Sequence, residues 1–266
     1  MGASDSAFSG SIPALYDRCL GPLLFEPYAR DLAERVAAIA PRRILETAAG
    51  TGIVTAALVR ALPDAEIVAT DLNQAMLDLA AQRVHSPSVT FQQADAQALP
   101  FGDGSFDLLL CQFGAMFFPD RILAYRQARR VLKRGGLFLF NVWDRLDSNP
   151  ASNAAAKAVA ALFPGDPPSF LSRVPFGYHD PLRIEKDLFA AGFDEVAVET
   201  VAAHGRLGDA ADAATGLCMG TPLRAEIEAR APDRLEEARD AAAAALAGLA
   251  GQDVPMSALV VSARSL

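Results

Sequence analysis

Residues 42–55, RRILETAAGTGIVT, constrain the fold more strongly than any other segment, because a short apolar run stops at Glu46 and enters a turn with two glycines, Gly50 and Gly52. Apolar residues at helical spacing follow over residues 53–62. A strand, a tight turn and a helix in this order are typical of the ligand-binding edge of open α/β sheets. Glycine permits the sharp turn and lets a ligand approach the backbone closely. The segment therefore predicts a ligand-binding turn after the first strand.

Acidic residues follow the next two predicted strands. The run 66–70 ends at Asp71, which lies nineteen positions after Gly52, where an acid can accept hydrogen bonds from ribose hydroxyls. The run 88–92 is followed by Asp95. Each acid has an alternative role, which is to cap the helix that follows it. Two such acids after one glycine turn favour a nucleoside ligand.

The glycine turn departs from the fingerprint of dinucleotide-binding proteins. That fingerprint has a third glycine three positions after the second, and here this position is Thr55. The turn also contains no basic residue that would bind a polyphosphate. The acids and the turn together suit a ligand with hydroxyls, amines and a positive charge.

Five pieces between residues 41 and 144 resemble the class I S-adenosylmethionine-dependent methyltransferases, in particular the small-molecule branch that is similar to the ubiquinone and menaquinone methyltransferases. They occur in the order expected for that family. The pieces are ETAAGTG (46–52), TDLNQAML (70–77), ADAQALPF (94–101), SFDLLLCQFGAMFFPD (105–120) and ARRVLKRGGLFLFNVWD (128–144). The resemblance implies that S-adenosylmethionine is the cofactor and S-adenosylhomocysteine its product.

The resemblance also implies which residues contact the cofactor. Glu46 would anchor the loop and face the amino group of the methionine part, Asp71 would accept from the ribose hydroxyls, and Asp95 would accept from the adenine amine. Gln112 and Phe113 would lie under the methionine and the sulfonium. The complete implied set is Tyr16, Glu46, Thr47, Gly50, Gly52, Asp71, Leu72, Met76, Asp95, Ala96, Gln112 and Phe113.

Composition and charge restrict the kinds of molecule that the protein is expected to bind. A net charge of −8 and a pI near 4.9 argue against nucleic acid or an anionic membrane surface. The cysteines Cys19, Cys111 and Cys218 are far apart and lack metal-ligand spacing, which predicts a reducing compartment and no metal. Residues 1–10 lack the basic start and apolar stretch of a signal peptide. We therefore expect a cytoplasmic enzyme with a small-molecule partner, either a monomer or a homodimer.

The chain organisation follows from these patterns. Residues 1–40 are predicted to form an N-terminal helical cover, turn-rich from Ser11 and helical over 27–40, with Tyr16 either over the cofactor or exposed in a loop. Residues 41–144 would form the cofactor-binding core. The predicted remainder is a substrate lid from two insertions (145–181 and 204–253) and two segments (182–203 and 254–266) that complete the sheet.

The predicted fold class is α/β: a Rossmann-like, seven-stranded, mostly parallel sheet with helices on both faces and a helical lid formed by the two insertions. The fifth strand is expected over residues 137–142 and the sixth over residues 193–201. The last strand, over residues 254–263, would be antiparallel if the topology of the family holds.

Aromatic residues after the fourth strand and in the first insertion predict a small, largely apolar or aromatic acceptor, although they could instead pack the lid on the core. His179 is the candidate general base, oriented by Asp180; alternatively, Asp180 caps the next helix and His179 is merely exposed. The predicted substrate-contacting residues are Phe117, Phe176, Tyr178 and His179.

Three functions are compatible with the sequence. The first is in-line methyl transfer, which chiefly requires orientation of the acceptor and exclusion of water. The second is a nicotinamide-dependent oxidoreductase, against which Thr55, Asp95 and the lack of a Tyr-x-x-x-Lys pair all count. The third is a non-catalytic protein that binds the cofactor and uses its lid as an interaction surface.

Overall fold

The computed structural model describes Asp5 and residues 12–264. Residues 1–4 and 6–11 lie outside the described residues. The predicted absence of a signal peptide and the predicted turn at Ser11 fall on these residues. Contacts divide the chain into two compact units. The core unit comprises Ala29–Trp143, Tyr178–Val201 and the described residues of Ala258–Leu266; the helical unit comprises the described residues of Met1–Tyr28, Asp144–Gly177 and Ala202–Ser257.

Seven strands of the described chain form one sheet in the order β3-β2-β1-β4-β5-β7-β6. The strands are β1 Arg43–Thr47, β2 Glu66–Asp71, β3 Val89–Gln93, β4 Phe106–Gln112, β5 Leu132–Trp143, β6 Glu195–Leu207 and β7 Gln252–Arg264. Strands β1 to β5 pair in parallel, whereas β7 pairs with β5 in antiparallel orientation. The predicted mostly parallel, seven-stranded Rossmann-like sheet is confirmed.

Helices connect the strands, as an alternating α/β pattern requires. They are α1 Ile12–Leu20, α2 Glu26–Ile39, α3 Ile53–Ala61, α4 Gln74–Arg83, α5 Arg121–Val131, α6 Pro150–Ala161, α7 Phe170–Arg173, α8 Pro181–Ala191, α9 Ala210–Met219, α10 Leu223–Arg230 and α11 Leu235–Leu246. A π-helical turn, Gly21–Phe25, joins α1 to α2. None of the described helices combines the length and the apolar character needed to cross a membrane.

The core unit carries helices on both faces of its sheet, and the alternate side chains of β5 contact one face each. Leu137 and Leu139 belong to one buried apolar cluster with residues of α2 and α3. Phe138 and Phe140 point to the other face, where the ring of Tyr125 from α5 lies 5.5 Å from each of their ring centroids. Parallel strands covered in this way are apolar over most of their length.

Three predicted segments differ from the structure. The stretch expected to be turn-rich is helical from Ile12, and Pro13 fits there because the first turn of a helix needs no proline N–H. Strand β6 extends to Leu207, so the second insertion begins after that residue and not at His204. Strand β5 begins at Leu132, ahead of the predicted start at Leu137, because Leu132 already pairs with β4 before a register shift.

Candidate functional site

The turn between β1 and α3 needs both of its glycines, for different reasons. Gly50 has φ +56° and Gly52 has φ +78°, in the left-handed region that favours glycine. A Cβ on Gly52 would lie 2.9 Å from the Cβ of Ala80, so this position is closed against α4. A Cβ on Gly50 would meet nothing within 4 Å. Gly50 therefore borders open space that a ligand can approach.

Asp71, at the end of β2, is tied to this turn by its carboxylate. The Gly50 N–H donates to Asp71 Oδ2 over 2.9 Å, and the Asn73 N–H donates to Asp71 Oδ1 over 2.8 Å. The side chain is buried, and this burial raises its pKa despite the hydrogen bonds, which act to lower it. Beside it, Leu72 is 50% exposed, whereas Met76 is buried. An acid and an exposed apolar side chain thus share one sheet edge.

Glu46 lies beneath the same turn. Its side chain is 1% exposed, and its Oε2 accepts a hydrogen bond of 2.7 Å from the hydroxyl of Thr55 in α3. Burial raises the pKa of Glu46 to about 8, with a further contribution from the charge of Asp71. Thr55 occupies the position of the third glycine in the dinucleotide fingerprint. The threonine that replaces this glycine therefore forms a hydrogen bond that anchors β1 to α3.

At the end of β4, Phe113 adopts φ +49°, which is uncommon for a residue with a bulky side chain. Its N–H donates to the Oδ1 of Asn141 over 2.9 Å, and its ring stacks on Trp143 with centroids 3.9 Å apart. Asn141 and Trp143 were not among the predicted site residues. A polar residue inside the apolar run LFLFNVW was the signal that could have found Asn141.

The loops after β1 and β4 pack closely on each other. A Cβ on Gly114 would lie 2.4 Å from the Cβ of Ala48 and 2.8 Å from the Sγ of Cys111. Ala48 itself has φ +53°. Strands β1 and β4 are sheet neighbours at the point where the strand order reverses, and open α/β sheets bind their ligands at such a point. Two residues with left-handed backbone conformations, Ala48 and Phe113, therefore lie at this switch point.

Comparison with known proteins agrees with this geometry. Residues 45–140 match a family model described as a methyltransferase domain. These residues form a methyltransferase domain. The chain is 37% identical over 151 residues to a demethylmenaquinone methyltransferase of Deinococcus radiodurans, covering 56% of this chain and 61% of that protein. It is 37% identical over 124 residues to a ubiquinone/menaquinone biosynthesis C-methyltransferase of Pseudomonas aeruginosa, covering 45% and 47%. The chain thus spans about half the length of these curated relatives.

A solved structure supports the fold over a longer stretch. The phosphoethanolamine N-methyltransferase 2 of Haemonchus contortus, in complex with phosphomonomethylethanolamine and S-adenosylhomocysteine, has a TM-score of 0.60 and 16% identity. The match covers 95% of this chain and 57% of that one. At this identity the likeness concerns the fold alone.

The remaining predicted cofactor residues of the methyltransferase domain lie beside the next strand ends. The N–H of Gln97 donates to Asp95 Oδ1 over 2.8 Å, and the N–H of Asp120 donates to Gln97 Oε1 over 3.0 Å. Asp95 therefore stabilises a turn, and because the next element of the described chain is strand β4, it does not have the helix-capping role. Ala94 N–H donates to the carbonyl of Asp71 over 3.0 Å, which joins the two acidic segments. Contacts of Asp95 and Ala96 with adenine stay a prediction, and so do those of Thr47 and Gln112.

The predicted substrate residues fall in both units, and the predicted cofactor residue Tyr16 lies in the helical unit. Tyr16 stacks on Phe25 within the helical unit, with ring centroids 4.7 Å apart, and Phe176 is buried in that same unit. Phe117, Tyr178 and His179 belong to the core unit. Their contacts with an acceptor, and that of Tyr16 with the cofactor, stay predictions.

Tyr178 and Asp180 already have structural partners. The buried Tyr178 hydroxyl donates to Asp187 Oδ2 over 2.9 Å, and the guanidinium of Arg121 lies 4.2 Å from the centroid of its ring. Asp180 Oδ1 accepts from the Leu182 N–H over 3.0 Å, so Asp180 caps α8. This cap is the alternative that the sequence left open for Asp180, and the base role of His179 stays a prediction.

The described residues hold no group of three or more His, Cys, Asp or Glu side chains that could bind a metal. All three cysteines are free and buried. Burial raises the pKa of the Cys111 thiol to about 12, so the thiol stays protonated and a poor nucleophile at neutral pH.

The crowding around Gly114 leads to a stability prediction. Gly114→Ala should lower the free energy of unfolding by about 1–3 kcal/mol, because the new methyl overlaps Ala48 and Cys111. Gly165→Ala is the matched control, since a Cβ there would meet nothing within 4 Å. Urea unfolding of both variants and the wild type measures the difference. Equal stability of the two variants would contradict the close packing of the loops.

Proposed function

We propose that this protein is an S-adenosylmethionine-dependent methyltransferase that acts on a small aromatic acceptor with ring hydroxyls, such as a demethylated quinol. The observation that carries the proposal is the Asp71 carboxylate bonded to Gly50 at the switch point of a methyltransferase domain. The curated relatives support the acceptor class, since both are named for the methylation of quinone compounds.

The residues at this edge fit the cofactor. The open approach to Gly50 leaves room for the methionine part, and the exposed Leu72 offers an apolar surface for adenine or ribose. Asp71 is placed to accept from ribose hydroxyls, since a carboxylate oxygen has lone pairs beyond the one that Gly50 occupies. Its charge, and the absence of a basic residue from residues 46–52, suit a cation better than a polyphosphate.

The chemistry asks the protein mainly for orientation. When bound, S-adenosylmethionine supplies a methyl group on a positively charged sulfur, open to in-line displacement. The chain has to hold the acceptor near attack distance and exclude water, which together lower the barrier by several kcal/mol, about 7 in good cases. Removal of a proton from the acceptor, where one is needed, would fall to His179. We further propose that residues 145–181 and 204–253 select the acceptor.

Other predictions from the sequence also belong to this proposal. We infer a cytoplasmic enzyme that has no nucleic-acid or membrane partner and works without a metal. The acidic balance of the chain supports this inference.

Calorimetric titration of the protein with S-adenosylhomocysteine and with NAD tests the cofactor. We expect binding of S-adenosylhomocysteine and none of NAD; NAD binding alone would refute the methyltransferase function in favour of an oxidoreductase. Radiolabelled S-adenosylmethionine with 1,4-dihydroxynaphthalene, catechol and histamine then tests the acceptor. We expect label on the naphthalenediol. Tight cofactor binding without transfer to any acceptor would favour the non-catalytic alternative.

A further inference from the structure

Asn141 is a buried polar residue in a strand that is otherwise apolar at this end. It is 0% exposed and lies between Phe140 and Val142, which are buried as well. Its Oδ1 accepts from Phe113, but its Nδ2 has no hydrogen-bond partner in the described part of the chain. A buried donor without a partner destabilises the fold by about 1–3 kcal/mol. A leucine of similar size would avoid this cost, so the asparagine calls for another explanation.

The explanation lies in the backbone of Phe113. Parallel pairing of β4 and β5 places Gln112 in register with Asn141, and Phe113 follows directly. Its N–H lies 2.9 Å from Asn141 Oδ1 and 3.2 Å from the Asn141 carbonyl. With φ +49°, this residue is in a conformation that costs a non-glycine residue about 1–2 kcal/mol. The Asn141 side chain supplies the acceptor that holds the N–H in this orientation.

The held conformation fixes an aromatic pair. The Phe113 ring stacks on Trp143, with ring planes 11° apart and centroids 3.9 Å apart. Residues 141 and 143 share one side of β5, because side chains two apart on a strand point the same way. Gly114 then leads the chain to Ala48 in the loop after β1. One hydrogen bond therefore fixes the ring pair beside the packed loops that follow β1 and β4.

We propose that Asn141 is a positioning residue: through Phe113 it holds the Phe113–Trp143 ring pair against the methyl-donor end of the cofactor site. The inference rests on the proposed function, and it adds a residue that acts without touching the reacting atoms. Strained backbone conformations cluster at functional sites, where the surrounding structure maintains them. Asn141 is the part of that surrounding structure whose chemistry can be changed by one substitution.

Trp143 gives a direct readout, because it is the one tryptophan of the sequence. In the wild type, S-adenosylhomocysteine should change the emission of Trp143. In Asn141→Leu, which removes the nearer, side-chain acceptor and leaves the Phe113 N–H only the backbone carbonyl of residue 141, that change should be lost, while the dissociation constant of S-adenosylhomocysteine stays within about threefold. Asn141→Asp keeps an acceptor oxygen, and we expect it to restore the emission change.

The rate of methyl transfer should change in the same variants as the emission response of Trp143. A misplaced ring pair should lower kcat by about 10- to 100-fold in Asn141→Leu, with little change in KM for S-adenosylmethionine. In a Phe113→Ala background, the further change Asn141→Leu should have almost no effect on kcat, because Asn141 acts through Phe113. The proposal would be overturned if the loss of kcat in the double variant equalled the product of the losses in the two single variants.

Val131→Ala separates positioning from simple destabilisation. Val131 is 0% exposed in α5 of the core unit, outside the residues assigned to the cofactor or the acceptor, and its truncation leaves a cavity in the core. We expect a lower melting temperature with unchanged kcat and unchanged emission response. If the wild type binds no S-adenosylhomocysteine, the proposed function itself fails. If it binds and all variants keep the wild-type emission response, this inference alone is refuted.

Discussion

Replacing Asp71 with alanine should weaken the binding of S-adenosylhomocysteine at least tenfold, that is, by about 1.4 kcal/mol or more. Two effects add in this variant. The ligand loses a charged acceptor for its ribose hydroxyls, and hydrogen bonds to charged groups contribute about 1.5–3 kcal/mol. The turn also loses the oxygens that accept from Gly50 and Asn73, so its open conformation is no longer held in place.

Asp71→Asn distinguishes these two effects. Asparagine keeps one oxygen for Gly50, but it directs an amide group at the Asn73 N–H or at the ligand. We expect an affinity between those of the wild type and the alanine variant. Calorimetry measures the affinity, and Asp78→Ala, which removes an exposed carboxylate from α4, is the matched control. If Asp71→Ala folds and binds as tightly as this control, Asp71 does not belong to the site.

The sheet was predictable from the sequence because its parallel strands are short apolar runs that end at acids or turns. Strand β2 and the antiparallel strand β7 were located to within a few residues for this reason. The end of strand β6 was harder to predict. Its exposed and half-buried residues alternate up to His204 except at Glu199 and Thr200, which are both exposed, and nothing in the local pattern marks its end at Leu207. The end is set by long-range pairing in the sheet, which a local pattern does not encode.

Site residues could be predicted from the sequence where the backbone requires glycine or where a charged residue follows a strand. Gly52 could be identified because no side chain fits against Ala80. The role of Thr55 could not, since its hydrogen bond to Glu46 exists only once α3 packs on β1. The pairing of Asn141 with Phe113 likewise depends on the register between β4 and β5. Side chains that act through a neighbouring strand are thus the part that sequence patterns miss.

The stability of the core unit should fall as the pH rises from about 5 to about 8, because of Glu46. Its pKa is about 8 in the folded protein, against an ordinary value of 4.5. Between these values the folded state holds a proton that the unfolded state has released, so unfolding becomes easier as the pH increases. The stabilisation is complete below the ordinary pKa and is lost as the pH passes through the folded value. One proton changes the free energy of unfolding by about 1.4 kcal/mol per pH unit.

Glu46→Gln should remove this contribution, since glutamine resembles the protonated acid and does not titrate. The variant and the wild type should have similar stability at pH 5, and the variant should be more stable by a few kcal/mol at pH 9. Asp71, whose pKa is also raised by burial, contributes with the same sign to both proteins and cancels in the comparison. Urea unfolding followed by Trp143 emission measures the core unit, with the exposed Glu34→Gln as control. Parallel pH profiles for wild type and Glu46→Gln would mean that Glu46 is already ionised in the folded protein, with its charge balanced inside the turn.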